Sequence, residues 1–109
     1  MNILDKIVFD KRKEVDLKKL IIPTSQLEAS ALFERPTVSL AKALANSSTG
    51  IIAEHKRRSP SKSVINQNLN VQDVAVGYEN AGVCGMSVLT DGKYFGGSMD
   101  DLLLARAAV

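Results

Sequence analysis

The sequence predicts an α/β fold in which two parallel strands follow a helical N-terminal segment. Three observations carry this. Ile51 to Lys56 and Val83 to Leu89 are short, branched or apolar runs bounded by turn residues. Val71 to Ala81, between them, has helical periodicity, and so does Met99 to about Ala108. The order strand, helix, strand, helix implies parallel pairing through right-handed crossovers. In such folds the loops at the C-terminal ends of the strands carry function. Here those loops are Arg57 to Asn70 and Thr90 to Gly97.

The N-terminal segment is expected to be helical from Met1 to about Leu20. Asn2 can cap it, with Asp5 at the third helical position. Ile3, Leu4, Ile7, Val8 and Val15 form its apolar stripe, and the Lys and Glu residues between them form a solvated face. Ser25-Gln-Leu-Glu28 has the capping-box pattern and should open a short helix ending before Pro36. Ser39 to Ala45 offers one more short helical piece.

In the first strand the alternation of side chains puts Ile52, Glu54 and Lys56 on one face and Ile51, Ala53 and His55 on the other. Asn70 should cap the helix from Val71 to Ala81, with Val71, Val74, Ala75 and Tyr78 inward and Gly82 closing it. In the second strand Cys84, Met86 and Val88 should pack on helices. Val83, Gly85, Ser87 and Leu89 take the other, more crowded face. Ser98 can cap the last helix, with Asp101 at the third helical position.

Composition limits the function. A chain of 109 residues is one domain or part of one. Hydrophobic content of 45% and charged content of 24% are ordinary globular values, which argues against disorder. A net charge of +2 is too small for a general nucleic-acid footprint. The single cysteine, Cys84, forms no internal disulfide and builds no zinc site alone; it reads as a small buried apolar residue in a reducing, cytoplasmic compartment. Asp5 and Lys6 interrupt the N-terminal apolar residues, so no signal peptide is expected. No apolar run approaches the ~18 residues of a membrane span.

Glu54 and Lys56 are the candidate chemistry. They sit two residues apart on one strand face, roughly 7 Å along the axis, so both side chains can converge on one ligand. A buried strand face rejects unpaired charge, so charged residues at this end point to a ligand-facing surface. An ordinary strand-end ion pair is the competing account. His55 points to the other face and reads as a packing residue between strand and helix. Lys56-Arg-Arg58 with Lys62 could attract nucleic acid, but no aromatic stacking platform accompanies the run. A phosphorylated, carboxylated substrate suits these charges better. Gly96-Gly97-Ser98 could hold an anion on exposed N–H groups, or serve only as a tight turn and cap.

GIIAEHKRRSPS (50–61) followed by YENAGVCGMSVLTDGKYFGGSMDDL (78–102) resembles the indole-3-glycerol-phosphate synthase family, and the likeness runs from LDKIVFDKRKEV at the N-terminus to the last residue. The resemblance implies a (β/α)8 TIM barrel with extra N-terminal helices, of which residues 1–49 are the helical extension and residues 50–109 the first two βα units. It implies a lyase of tryptophan biosynthesis that converts carboxyphenylamino-deoxyribulose phosphate to indole-3-glycerol phosphate, with loss of CO2 and water and with no metal or organic cofactor. Carried over by position, Lys56 is the lysine that contacts the substrate carboxylate and Glu54 the acid that holds it. Ser59 is the phosphate-contacting serine. Leu89 and Phe95 line the substrate's aromatic ring. Ser63 departs from the family, which more often has glycine there.

A barrel needs eight strands and ~250 residues. Two strands are expected here, and the family's second catalytic lysine belongs to a third, past Val109. The chain therefore reads as an N-terminal fragment. Alone it should be inactive, and its exposed strand edges can drive self-association. A non-catalytic, self-associating fragment or an anion-binding module is the alternative to the lyase. No membrane partner is expected.

Overall fold

Two four-residue strands, β1 (Ile52–His55) and β2 (Gly85–Val88), pair in parallel in a computed structural model that describes residues 2–65 and 68–109. Met1, where the first helix was expected to begin, and residues 66 and 67 of the loop expected from Arg57 to Asn70 lie outside the described residues. The helices are α1 (Ile3–Ile21), α2 (Thr24–Glu28), α3 (Leu40–Asn46), α4 (Val71–Asn80), α5 (Gly92–Phe95) and α6 (Met99–Ala108). The chain divides into two units, residues 1–38 and 39–109.

In the first unit, α1 begins where Asn2 accepts a bond from the Asp5 amide at 2.8 Å, as expected. Its charged face is solvated and self-paired. Glu14 receives Lys11 at 2.6 Å and Lys18 at 2.9 Å, at helical spacings of three and four, and these partners lower its pKa. Lys18 and Lys19 lie in the last turn, where cations suit the helix dipole. The capping box at Ser25 does not form. Pro23 sits at the cap position in an extended conformation, so Thr24 and Ser25 are already helical and no side chain caps α2. That helix ends at Glu28, and separate turns follow it.

In the second unit, strand register places Glu54 opposite Ser87 and His55 opposite Val88. One face of the pair therefore carries Ala53, His55, Met86 and Val88, and the other Ile52, Glu54, Gly85 and Ser87. The first face packs on helices. Val71 and Ala75, one turn apart on α4, and Ala105 on α6 are buried, with Met86, Val88 and Val109 against them. Cys84 is only half-buried, beside a cleft of about 240 Å³ between β2, α4 and α6, rather than fully enclosed as expected. Both strands are shorter than expected. Ile51 and Leu89 still contribute backbone bonds at the ends, Cys84 N to Ile51 O and Leu89 N to His55 O.

The expected caps form: Asn70 accepts from Gln72 N and Ser98 from Asp101 N. Ser39, expected inside the short helical piece 39–45, instead caps α3 and accepts from Lys42 N. Gly82 follows α4 with a positive φ, as expected of the closing residue. The loop expected from Thr90 to Gly97 contains α5, a single turn capped by Asp91, which accepts from Tyr94 N at 2.8 Å. On the second strand face, Leu40 of α3 closes over Gly85; a Cβ there would stand 2.7 Å from the leucine methyl. The crowding expected at Gly85 is thus supplied by α3.

The core of this unit is small, and the face of Ile52 is half open to solvent. Three small buried side chains do not offset the ~1–2 kcal/mol of backbone entropy lost per ordered residue. Each strand also presents an edge without a partner among the described residues. The purified 109-residue chain is therefore expected to self-associate in solution. Static light scattering checks this: a mass above the monomer is the expected outcome, and a stable folded monomer contradicts it.

Candidate functional site

The C-terminal end of β1 distributes five consecutive residues, 54–58, in different directions. Glu54 lies on the open face and accepts Ser87 Oγ at 3.2 Å on one carboxylate oxygen. Its other oxygen faces Lys56 Nζ at 3.5 Å. That ammonium lies 5.6 Å from the centre of the Phe95 ring, within range of a cation–π attraction. Glu54, Lys56, Ser87 and Phe95 thus converge, and strand spacing and register bring three of them there. Tyr78 of α4 also donates its hydroxyl to Glu54 O at 3.4 Å.

His55 points the opposite way and is 3% exposed, against the helices, as expected of a packing residue. Its Nε2 has no hydrogen-bond partner among the described residues. Burial pushes its pKa below the ordinary value, helped by the charge of Arg57 and opposed by that of Asp101.

Arg57 turns to α6. Nε and Nη2 each donate to one oxygen of Asp101 at 2.9 Å, and Nη1 donates to Leu69 O at 3.0 Å. Both side chains are largely buried, and this bidentate contact lowers the Asp101 pKa and raises that of Arg57. Arg58 turns to α5. Its Nη2 donates to Gly92 O at 2.6 Å and Lys93 O at 3.0 Å, and its amide donates to Phe95 O at 3.3 Å. These two cations were expected to attract a substrate. Instead each is engaged in joining the loop after β1 to a later element. The contacts with Asp101 and with α5 join residues at least 34 apart in sequence, so local pattern carries no signal for them.

Ser59 belongs to a tight turn. It exchanges backbone bonds with Lys62, and its hydroxyl accepts the Lys62 amide at 3.1 Å and lies 3.2 Å from Ser61 Oγ. No hydrogen bond joins it to Glu54 or Lys56 among the described residues. Leu89 is half-buried at the end of β2, and its carbonyl faces Gly97. A Cβ at Gly97 would lie 1.8 Å from that oxygen, so only glycine fits. Gly96 has φ +65 at the end of α5. Gly96-Gly97-Ser98 is therefore a close turn and cap. Among the described residues no cluster of three or more His, Cys, Asp or Glu side chains could hold a metal ion, and no helix is long and apolar enough to cross a membrane.

This geometry defines a parallel α/β unit whose strand ends carry a charged, half-open face. Residues 4–109 match the family model described as indole-3-glycerol phosphate synthase. The relatives carrying that name include those of Bacteroides thetaiotaomicron (44% identical over 99% of this chain), Desulfosudis oleivorans (42% over 98%) and Dechloromonas aromatica (40% over 98%). The chain belongs to the indole-3-glycerol phosphate synthase family. It spans 42% of the length of each of these three relatives.

The histidine and aspartate shifts set an expected pH dependence. The unfolded chain protonates His55 at its ordinary value, about 6.5, while the folded chain resists until lower pH. Stability should therefore decline as pH falls below that value. Asp101, with its depressed pKa, adds a further loss in stronger acid, through its folded-state value. His55→Leu is expected to flatten the decline between about pH 7 and pH 5. Thermal melts followed by circular dichroism check this, and an unchanged decline assigns the sensitivity to other groups.

Proposed function

We propose that residues 1–49 are the helical extension and residues 50–109 the first two βα units of a (β/α)8 barrel that converts carboxyphenylamino-deoxyribulose phosphate to indole-3-glycerol phosphate. The observation that carries this is the convergence of Glu54, Lys56 and Phe95 at the end of β1, within a chain of this family. Lys56 meets the substrate carboxylate and stabilises charge that develops during ring closure and decarboxylation. Glu54, anchored by Ser87, holds the ammonium in place. Phe95 and Leu89 take the aromatic ring, and Ser59 takes the phosphate. The acid for the final loss of water comes from a later strand. Two strands enclose no site, so residues 1–109 alone turn over nothing. The reaction needs no metal or organic cofactor, and the setting is cytoplasmic.

The test joins residues 1–109 to the remainder of the Bacteroides thetaiotaomicron relative and follows indole-glycerol phosphate by fluorescence. A folded chimera that forms no product overturns the proposal. Within an active chimera, Lys56→Ala should lower kcat by about 10²–10³ without altering the circular dichroism spectrum. Near-normal turnover would remove Lys56 from the chemistry. Ser59→Ala should mainly raise KM, because a phosphate contact far from the reacting ring contributes alike to ground and transition states. A collapse of kcat at unchanged KM would show that Ser59 has another role.

A further inference from the structure

Three contacts from Arg58 meet on one turn of the neighbouring loop. Its guanidinium donates to Gly92 O and Lys93 O. Its amide donates to Phe95 O. Its methylene stem lies along Gly96, where a Cβ would stand 3.2 Å from Cγ and 3.3 Å from Cδ. The carbonyls it caps belong to α5, a four-residue helix that propensity alone does not sustain. Asp91 holds the start of that turn through Tyr94 N, and Gly96 ends it with φ +65. Arg58 therefore bears on α5 from its first residue, Gly92, to its last, Phe95.

We propose that Arg58 is a positioning residue: it fixes α5 so that the Phe95 ring stays beside Lys56 Nζ, and so sets the width of the slot for the substrate's aromatic ring. This rests on the roles given above to Phe95 and Lys56. The separation of 5.6 Å between ammonium and ring centre joins residues on two different loops. Arg58 is two residues from Lys56 in the chain and bonds directly to the Phe95 carbonyl, so it couples the two. Reach matters as well as charge. Both carbonyl bonds leave the single nitrogen Nη2, which lies one bond further from the backbone than the Nζ of lysine, while the stem packs on a glycine.

Two measurements test this. The first needs no substrate. Hydrogen exchange by NMR on the folded chimera reads the Gly96 and Gly97 amides, which bond to Gly92 O and Asp91 O. Arg58→Met keeps the stem and removes the guanidinium, and it is expected to speed exchange of both amides about tenfold or more. Unchanged exchange, or amides already unprotected in the parent chimera, overturns the ordering role. The second uses the active chimera. Arg58→Met should raise KM about tenfold with a smaller change in kcat, and add little on top of Phe95→Ala, because both act through one ring. Additive effects overturn the coupling. Full recovery by Arg58→Lys shows that charge alone suffices and overturns the positioning role. An unchanged KM in Phe95→Ala overturns the aromatic-slot assignment itself, while the exchange experiment still decides whether Arg58 orders α5.

Discussion

Arg57 binds both oxygens of Asp101 and the carbonyl of Leu69, and the second unit is arranged around that contact. It joins the exit of β1 to the first turn of α6 and to the residue before the α4 cap. The carboxylate belongs at this position for a separate reason. Asp101 is the third residue of α6, where the helix dipole favours negative charge, and Ser98 accepts its amide. Largely buried charges pay a desolvation penalty, which a bidentate hydrogen-bonded geometry can repay. The positive charge of Arg57 also reaches His55 and helps keep that buried ring neutral.

The run Lys56-Arg57-Arg58 shows why charge count and charge use differ. Three adjacent cations leave the strand in three directions. Lys56 pairs with Glu54 on the open face, Arg57 with Asp101 on α6, and Arg58 with the carbonyls of α5. Lysine is a compact point charge on a flexible stem, suited to meeting a ligand. Arginine presents a fork, suited to fixed oxygen atoms. The division of labour follows the residue types.

Local signals in the sequence were legible where local physics decides the structure. Asn2, Asn70 and Ser98 all cap helices because each competes only with its own next three residues. The strands and their faces were legible from alternation, and register then brought Glu54 to Ser87. Ser25 misled because Pro23, already extended, starts the helix two residues earlier. Helix α5 was hidden because four residues, the first of them glycine, give no periodicity, although Asp91 three residues before Tyr94 was a readable cap. The arginine contacts with Asp101 and with α5 were not legible, since they span 34 to 44 residues and depend on the completed packing.

The Glu54–Lys56 pair remains the contact that stability explains least. Its side chains are 47% and 34% exposed, and its separation is 3.5 Å. A pair so open to water contributes under ~1 kcal/mol. An apolar residue at either position could instead pack beside Ile52 and Phe95. The same strand does place its well-packed residue, His55, and its structural ion pair, through Arg57, on the helix side. Charge is thus retained on the open face at some cost in packing and for little gain in fold. A carboxylate that holds an ammonium against an aromatic ring is an arrangement that becomes favourable when an anionic, aromatic ligand displaces the water around it, because the lowered local dielectric then strengthens every contact the ammonium makes.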